Sequence, residues 1–184
     1  MSNLSIEEQK EFLQIACNVA KNSPDLSTQN GAVLVKTTFG NSDSGFRRNP
    51  TLVESGYNRF PVGVNSDINL VSERFQRRLK YTFTEHAERN CLYDAARFGI
   101  QTQGLILVCS WITCSDCARG IIECGIHEII TLKPKWEHKA WDDSIANANI
   151  MLNEAGIKIT YFEGKLFDDK EQVTLLFNGK KWMP

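Results

Sequence analysis

Apolar and polar positions follow two different periods along the chain. Across residues 6–21, Phe12, Ile15, Ala16 and Val19 fall on one face of a 3.6-residue repeat and predict an amphipathic helix. Ser5 and Glu8 precede it at capping-box spacing, so a hydroxyl and a carboxylate can satisfy N–H groups that a helix start leaves orphaned. Pro24 closes this helix. Residues 31–35 are short, apolar and rich in β-branched side chains, which predicts a buried strand. The stretch 36–50, with glycine at 40 and 45, reads as a hairpin loop and its surroundings; 51–57 predicts a second strand, running into an irregular loop at 56–63.

From 64 to 84 the chain is polar and charged, with four basic residues against one acid in 73–80. Thr84 is the expected cap of a helix over 85–98 that Gly99 stops. Residues 105–109 predict a strand, 115–124 a helix ended by Gly125, and 128–132 another strand. Trp141, Ile145, Ala148, Leu152 and Ala155 recur at helical spacing over 140–155, and 158–162 predicts a fifth strand. In the tail, 173–177 offers a further strand with Asn178-Gly179 as its turn. Strands alternating with helices predict α/β layering around a mostly buried sheet.

Length and composition narrow the reading. The 184 residues suit one domain, 1–184, with a core over about 4–162 and an extension over 163–184. Lys and Arg number 21 against 22 Asp and Glu, whereas a dedicated nucleic-acid binder carries a basic excess. The longest apolar run, 104–109, falls far short of the roughly 20 residues that span a bilayer. The first residues carry no apolar leader core. A soluble cytoplasmic chain with reduced thiols is expected. Of the six cysteines, Cys17, Cys91, Cys109 and Cys124 sit in apolar patterns and read as small buried hydrophobes. Trp111, Trp136, Trp141 and Trp182 read as core residues.

Cys114 and Cys117 differ, because Ser115 and Asp116 give them the C-x-x-C spacing of metal and redox sites. They open one predicted helix, and His86-Ala-Glu88 opens another. Two helix N-termini aimed at one spot favour thiolates. One imidazole and two thiolates suit Zn²⁺ and leave its fourth position to water, the mark of a catalytic rather than a structural site. A structural zinc would need His127 or His138 as fourth ligand, and both read as surface or strand-end residues. A redox pair is the other use of C-x-x-C, and it leaves the matching H-x-E unexplained. Glu88 is read as a carboxylate beside the metal-bound water; its plain alternative is a first-turn glutamate favoured by the helix dipole.

The segments Thr84-Glu-His-Ala-Glu-Arg-Asn90 and Thr113-Cys-Ser-Asp-Cys117 resemble the zinc motifs of the cytidine/deoxycytidylate deaminase superfamily. Gly31-Ala-Val-Leu-Val35 and Gly56-Tyr-Asn-Arg-Phe-Pro61 extend the likeness. The 28 residues between Asn58 and His86, with Arg89-Asn90 after the glutamate, make the chain more similar to the deoxycytidylate deaminases than to the tRNA adenosine deaminases. The resemblance implies a three-layer α/β/α fold around a five-stranded mixed sheet. It implies deamination of dCMP to dUMP and ammonia, feeding thymidylate synthesis, with His86, Cys114 and Cys117 on zinc and Glu88 moving protons to N3 and the leaving amine.

It further implies that the Ala87 amide meets the pyrimidine carbonyl, that Asn58 reaches the sugar, and that Tyr57, Phe60 and Pro61 shape the pocket. Arg59, Arg74, Arg77, Arg78 and Lys80 are the candidate 5′-phosphate contacts, since monophosphates favour cationic forks. A homo-oligomer, commonly a hexamer, is implied too, as are dCTP activation and dTTP inhibition with Mg²⁺ accompanying the triphosphate. Two departures stand out. Thr113 replaces the usual proline and is expected to cap the same turn. Residues 32–85 hold no Cys or His, so the insert must be held by packing and salt bridges rather than a second zinc. Two other readings remain: a deaminase acting on a different cytosine or adenine compound, or a zinc module without catalysis.

Overall fold

A computed structural model describes residues 3–42, 45–133, 142–168 and 173–184. Helix α1 (Ile6–Ala20) starts on the expected capping box: Ser5 Oγ accepts from Glu8 N–H, and Glu8 Oε2 accepts from Ser5 N–H at 2.7 Å. Strands β1 (Gly31–Ser42) and β2 (Gly45–Tyr57) pair antiparallel from Gly31↔Tyr57 to Ser42↔Gly45. The turn-rich stretch expected as loop is therefore mostly ladder. Residues 36–39 and 48–50 are half-buried or exposed, so no core selects for apolar alternation there.

The insert folds as short α2 (Ile68–Val71), a 3-10 turn at Ser72–Phe75, and α3 (Lys80–Phe83). Helix α4 (Ala87–Arg97) follows, then β3 (Ile106–Cys109), α5 (Ser115–Glu123), β4 (Glu128–Leu132), α6 (Asp142–Glu154) and β5 (Lys158–Phe162). Two expected caps are corrected. His86, not Thr84, occupies the N-cap of α4, and Cys114, not Thr113, that of α5; neither makes a side-chain capping bond. Both positions that sequence propensity would give to a hydroxyl hold candidate metal ligands. The predicted helix start at 140 and 141, with Trp136, Trp141 and His138, lies outside the described residues.

The sheet runs β2-β1-β3-β4-β5, with β1 antiparallel to both neighbours and β3, β4 and β5 parallel. It is the expected five-stranded mixed sheet. Alternate side chains enter two cores, as a pleated sheet covered on both faces requires. Val33, Val35, Ile106, Val108 and Ile130 meet α1 on one face. Ala32, Leu34, Leu107, Cys109 and Ile129 meet α4, α5 and α6 on the other. No described helix is long and apolar enough to cross a membrane.

The tail, expected as an extension, packs into the first of these cores through Val173, Leu175, Phe177 and Trp182. It forms a hairpin of β6 (Leu175–Phe177) and β7 (Lys180–Trp182). Asn178 at φ 48° and Gly179 at φ 74° supply the two left-handed residues that a type I′ turn needs.

The topology also gathers polar groups. The antiparallel pairing of β1 with β3 sets Ala32 opposite Cys109, so the start of β1 lies beside the end of β3. The end of β2 joins them through Gly31↔Tyr57. One end of the sheet thus collects Asn30, Asn58 and Ser110.

Candidate metal centre and active site

Helix α4 reaches that end because Gly56 lets it. A Cβ built there would stand 2.6 Å from Ala87 O and from Cys91 N, so only glycine permits the contact between β2 and the first turns of α4. Asn58 Oδ1 accepts from Ala87 N–H at 2.9 Å, and Asn90 Nδ2 donates to the carbonyls of Tyr57 at 2.9 Å and Glu85 at 3.1 Å. These bonds place His86 and Glu88.

His86 Nδ1 lies 3.5 Å from Cys114 Sγ and 3.6 Å from Cys117 Sγ. Tetrahedral zinc with Zn–N near 2.0 Å and Zn–S near 2.3 Å sets its N and S ligands about 3.6 Å apart, so the three atoms already stand at zinc-ligand spacing. Among the described residues this is the group of His, Cys, Asp or Glu side chains that converges on a metal position. His127 is not part of it; its Nδ1 lies 3.0 Å from Leu105 O.

The electrostatics favour a cation. The Cys117 thiol and His86 pull the Cys114 thiol down to about 4 against the opposing effect of burial. Burial, together with neighbouring Cys114 and Glu88, pushes Cys117 well up, so the pair holds one thiolate and one thiol until a metal displaces the proton. Burial alone would lower the pKa of His86, but the Cys114 hydrogen bond and the charges of Glu88 and Cys114 raise it. Arg89 adds positive charge, with Nη1 3.7 Å from Cys117 Sγ and Nε on Glu85 Oε2 at 2.7 Å. The sequence offered Arg89 only as part of a pattern; the structure sets its guanidinium against the sulfur of a candidate zinc ligand.

Glu88 is 1% exposed and lines the same pocket as His86 and Cys114. Burial pushes its carboxyl up to about 7, while His86 and Arg89 pull the other way. A carboxyl poised there can both take and give a proton near neutral pH.

The remaining expected residues separate. Asn58 lines the pocket. Its side chain is spanned between Ala87 N–H and Thr28 O, to which Nδ2 donates at 3.1 Å. The Ala87 amide, expected to meet a substrate carbonyl, is therefore occupied by Asn58. Tyr57, Phe60 and Pro61 stand outside the lining. Phe60 is instead stacked on Phe75, ring centroids 4.8 Å apart, and tilted against Phe83 at 5.7 Å. These aromatic contacts pack Phe60 against the insert.

Of the five candidate phosphate contacts, Lys80 lines the pocket. Its Nζ lies 2.8 and 3.2 Å from the two carboxylate oxygens of Asp25, both residues buried. Arg59 pairs with Asp94 at 2.7 Å, Arg74 lies over the Phe83 ring, and Arg77 and Arg78 are exposed.

Sequence reading missed Asp25, Asn30, Trp111, Phe177 and Asn178, all of which line the pocket. Asn30 carried a signal, a polar residue heading an apolar strand, and Asn178 carried one as a turn residue. Neither signal says that Asn30 and Asn178, from opposite ends of the chain, line the same pocket.

The family model for the cytidine and deoxycytidylate deaminase zinc-binding region matches residues 6–133. The chain is 29% identical over 153 residues to an uncharacterized deaminase in the luxG 3′ region of Aliivibrio fischeri, covering 83% of this chain and 91% of that one. It is 27% identical over 159 residues to human deoxycytidylate deaminase, covering 85% and 80%. Among solved structures, the dCMP deaminase of cyanophage S-TIM5 in complex with dCMP and dUMP aligns with a TM-score of 0.61 at 20% identity, covering 86% of this chain and 99% of that one, a likeness of fold.

Proposed function

The chain belongs to the cytidine and deoxycytidylate deaminase zinc-binding family, and from that premise we propose that it hydrolyses dCMP to dUMP and ammonia. The observation that carries the proposal is the triad of His86, Cys114 and Cys117 at zinc-ligand spacing beside a buried carboxyl, Glu88, in one pocket. When bound, zinc supplies Lewis acidity and makes water a nucleophile at ordinary pH. Glu88 accepts the proton of the attacking water, passes it to N3 of the cytosine ring, and returns a second proton to the departing amine. Its position in a buried pocket excludes bulk water from those transfers. Asn58 meets the sugar and, through its bond to Ala87 N–H, holds the helix start that carries His86 and Glu88. Arg89 balances the charge of the thiolates.

A second reading has an observation of its own. Lys80, the one of the five phosphate candidates that lines the pocket, is already held by Asp25. That arrangement favours a cytosine compound without a 5′-phosphate. Effector control by dCTP and dTTP with Mg²⁺, and a hexamer, are supported by the family resemblance.

Ammonia release from a panel of dCMP, CMP, dCTP, deoxycytidine and an adenosine-containing RNA hairpin tests all of this, with and without dCTP as effector. Turnover of dCMP, abolished in zinc-loaded Glu88→Gln, is the expected result. Turnover of deoxycytidine in preference to dCMP establishes the second reading. A blank panel with zinc bound leaves a zinc module without catalysis.

A further inference from the structure

The environment of Glu88 includes two residues, Asn30 and Ser110, that lie outside every motif read in the sequence. Glu88 Oε2 accepts from Asn30 Nδ2 at 3.1 Å. Asn30 Oδ1 accepts from the Ser110 hydroxyl at 2.8 Å, and Ser110 Oγ accepts from Gly31 N–H at 3.1 Å. Asn30 is 5% exposed, Glu88 1% and Ser110 not at all. The backbone is equally fixed: Ser110 N–H donates to Gly31 O at 2.9 Å, and Asn58 N–H donates to Asn30 O at 3.1 Å.

The direction of this relay follows from its ends. A backbone N–H only donates, so Ser110 Oγ accepts from Gly31, and its single proton is directed to Asn30. An amide whose oxygen is engaged in this way turns its NH₂ to the other neighbour, Glu88. The flipped amide would set its oxygen against a carboxylate oxygen, two acceptors with no proton between them while Glu88 is ionised.

We propose that Asn30, oriented by Ser110, is the positioning residue of Glu88. It holds Oε2 as an acceptor and leaves Oε1 as the oxygen that exchanges protons with water and substrate. The start of β1 and the end of β3 carry the two relay residues, so the antiparallel β1–β3 pairing sets the aim of the acid on α4. The proposal rests on the deaminase reading of this site, and its test separates the two.

The test uses full-length Asn30→Ala and Ser110→Ala, loaded with zinc and assayed with dCMP beside the wild type. Asn30→Ala lowers kcat by about 10- to 100-fold, the range found when residues orienting a metal site's groups are removed. KM stays within about 2-fold and zinc content is unchanged, because the Asn30 amide is spent on Glu88 and Ser110 and meets no zinc ligand. Ser110→Ala removes one oxygen from a buried site and falls less, since the amide remains but is free to turn. A second readout needs no substrate. In the metal-free chain labelled with ¹³C at the glutamate side-chain carboxyls, the Glu88 resonance is assigned by its absence in Glu88→Gln. It moves in both variants while the other glutamates stay. An unchanged kcat in Asn30→Ala, an unmoved Glu88 resonance, or zinc lost in step with activity overturns the proposal. A wild type that releases ammonia from no member of the panel overturns the deaminase reading instead, and the resonance still decides whether Asn30 aims Glu88.

Discussion

At the scale of single residues, Glu88 is held where a carboxylate is costly. Its folded pKa is raised from 4.5 to about 7 by burial. Between those values the native chain binds more protons than the unfolded one, so stability falls as pH rises through the window and stays lower above it. A shift of that size corresponds to about 3 kcal/mol. Metal-free Glu88→Gln keeps an acceptor for Asn30 without the charge. It should therefore melt above the metal-free wild type at pH 8 and level with it at pH 4, and equal melting at both pH values would count against the burial argument. Replacing His86, Cys114 or Cys117 by alanine acts oppositely: each variant should lose stoichiometric zinc, and chelator should no longer lower its melting temperature. These residues were legible in the sequence because the H-x-E and C-x-x-C spacings are local and chemically distinctive. Asn30 and Ser110 were not, since their contacts span 58 and 80 positions and neither residue type announces a role.

At the scale of elements, the site depends on how closely β2 and α4 approach. An added Cβ at Gly56 meets backbone atoms of Ala87 and Cys91 at 2.6 Å, and backbone cannot swing aside as a flexible side chain can. Gly56→Ala should push the first turn of α4 outward, costing about 1–3 kcal/mol or more and lowering zinc affinity and kcat together. Gly120 supplies the contrast. It lies inside α5, and its nearest foreign atoms, Arg89 Cγ and Leu92 Cδ1, stand at 3.8 Å. Gly120→Ala should keep activity and gain up to about 1 kcal/mol from helix propensity. Thermal melting and zinc titration of the two variants distinguish a steric requirement from a general intolerance of change. Periodicity placed α1, α4, α5 and the central strands well, since each presents one apolar face to a core. It misjudged the β1–β2 ribbon and both cap positions. Beyond Val35 the described residues of the ribbon, 36–39 and 48–50, meet no core that imposes alternation, and the caps are occupied by residues chosen for chemistry rather than propensity.

Across the whole molecule, two distant segments brace the loop that carries Asn30. The C-terminal hairpin is one: Gln29 N–H donates to Leu176 O at 2.8 Å, Leu176 N–H to Gln29 Oε1 at 3.0 Å, and Gly179 N–H to Ser27 O at 2.9 Å. Phe177 stacks on Trp111 with centroids 4.0 Å apart, and Trp182 meets Trp111 edge-on at 5.3 Å. The insert is the other, through Lys80 on Asp25, whose Oδ1 also accepts from Ser27 N–H at 2.8 Å and Thr28 N–H at 3.2 Å. Removing one partner of a buried pair leaves the other charge uncompensated, so Lys80→Met alone should cost about 3–5 kcal/mol. The double variant Asp25→Asn with Lys80→Met removes both charges yet keeps an oxygen for the Ser27 and Thr28 amides. It should recover much of that loss in urea unfolding. If the pair serves only stability, the double variant also recovers kcat. If its link between insert and loop sets the aim of Asn30, stability returns while kcat stays low and the Glu88 carboxyl resonance remains displaced.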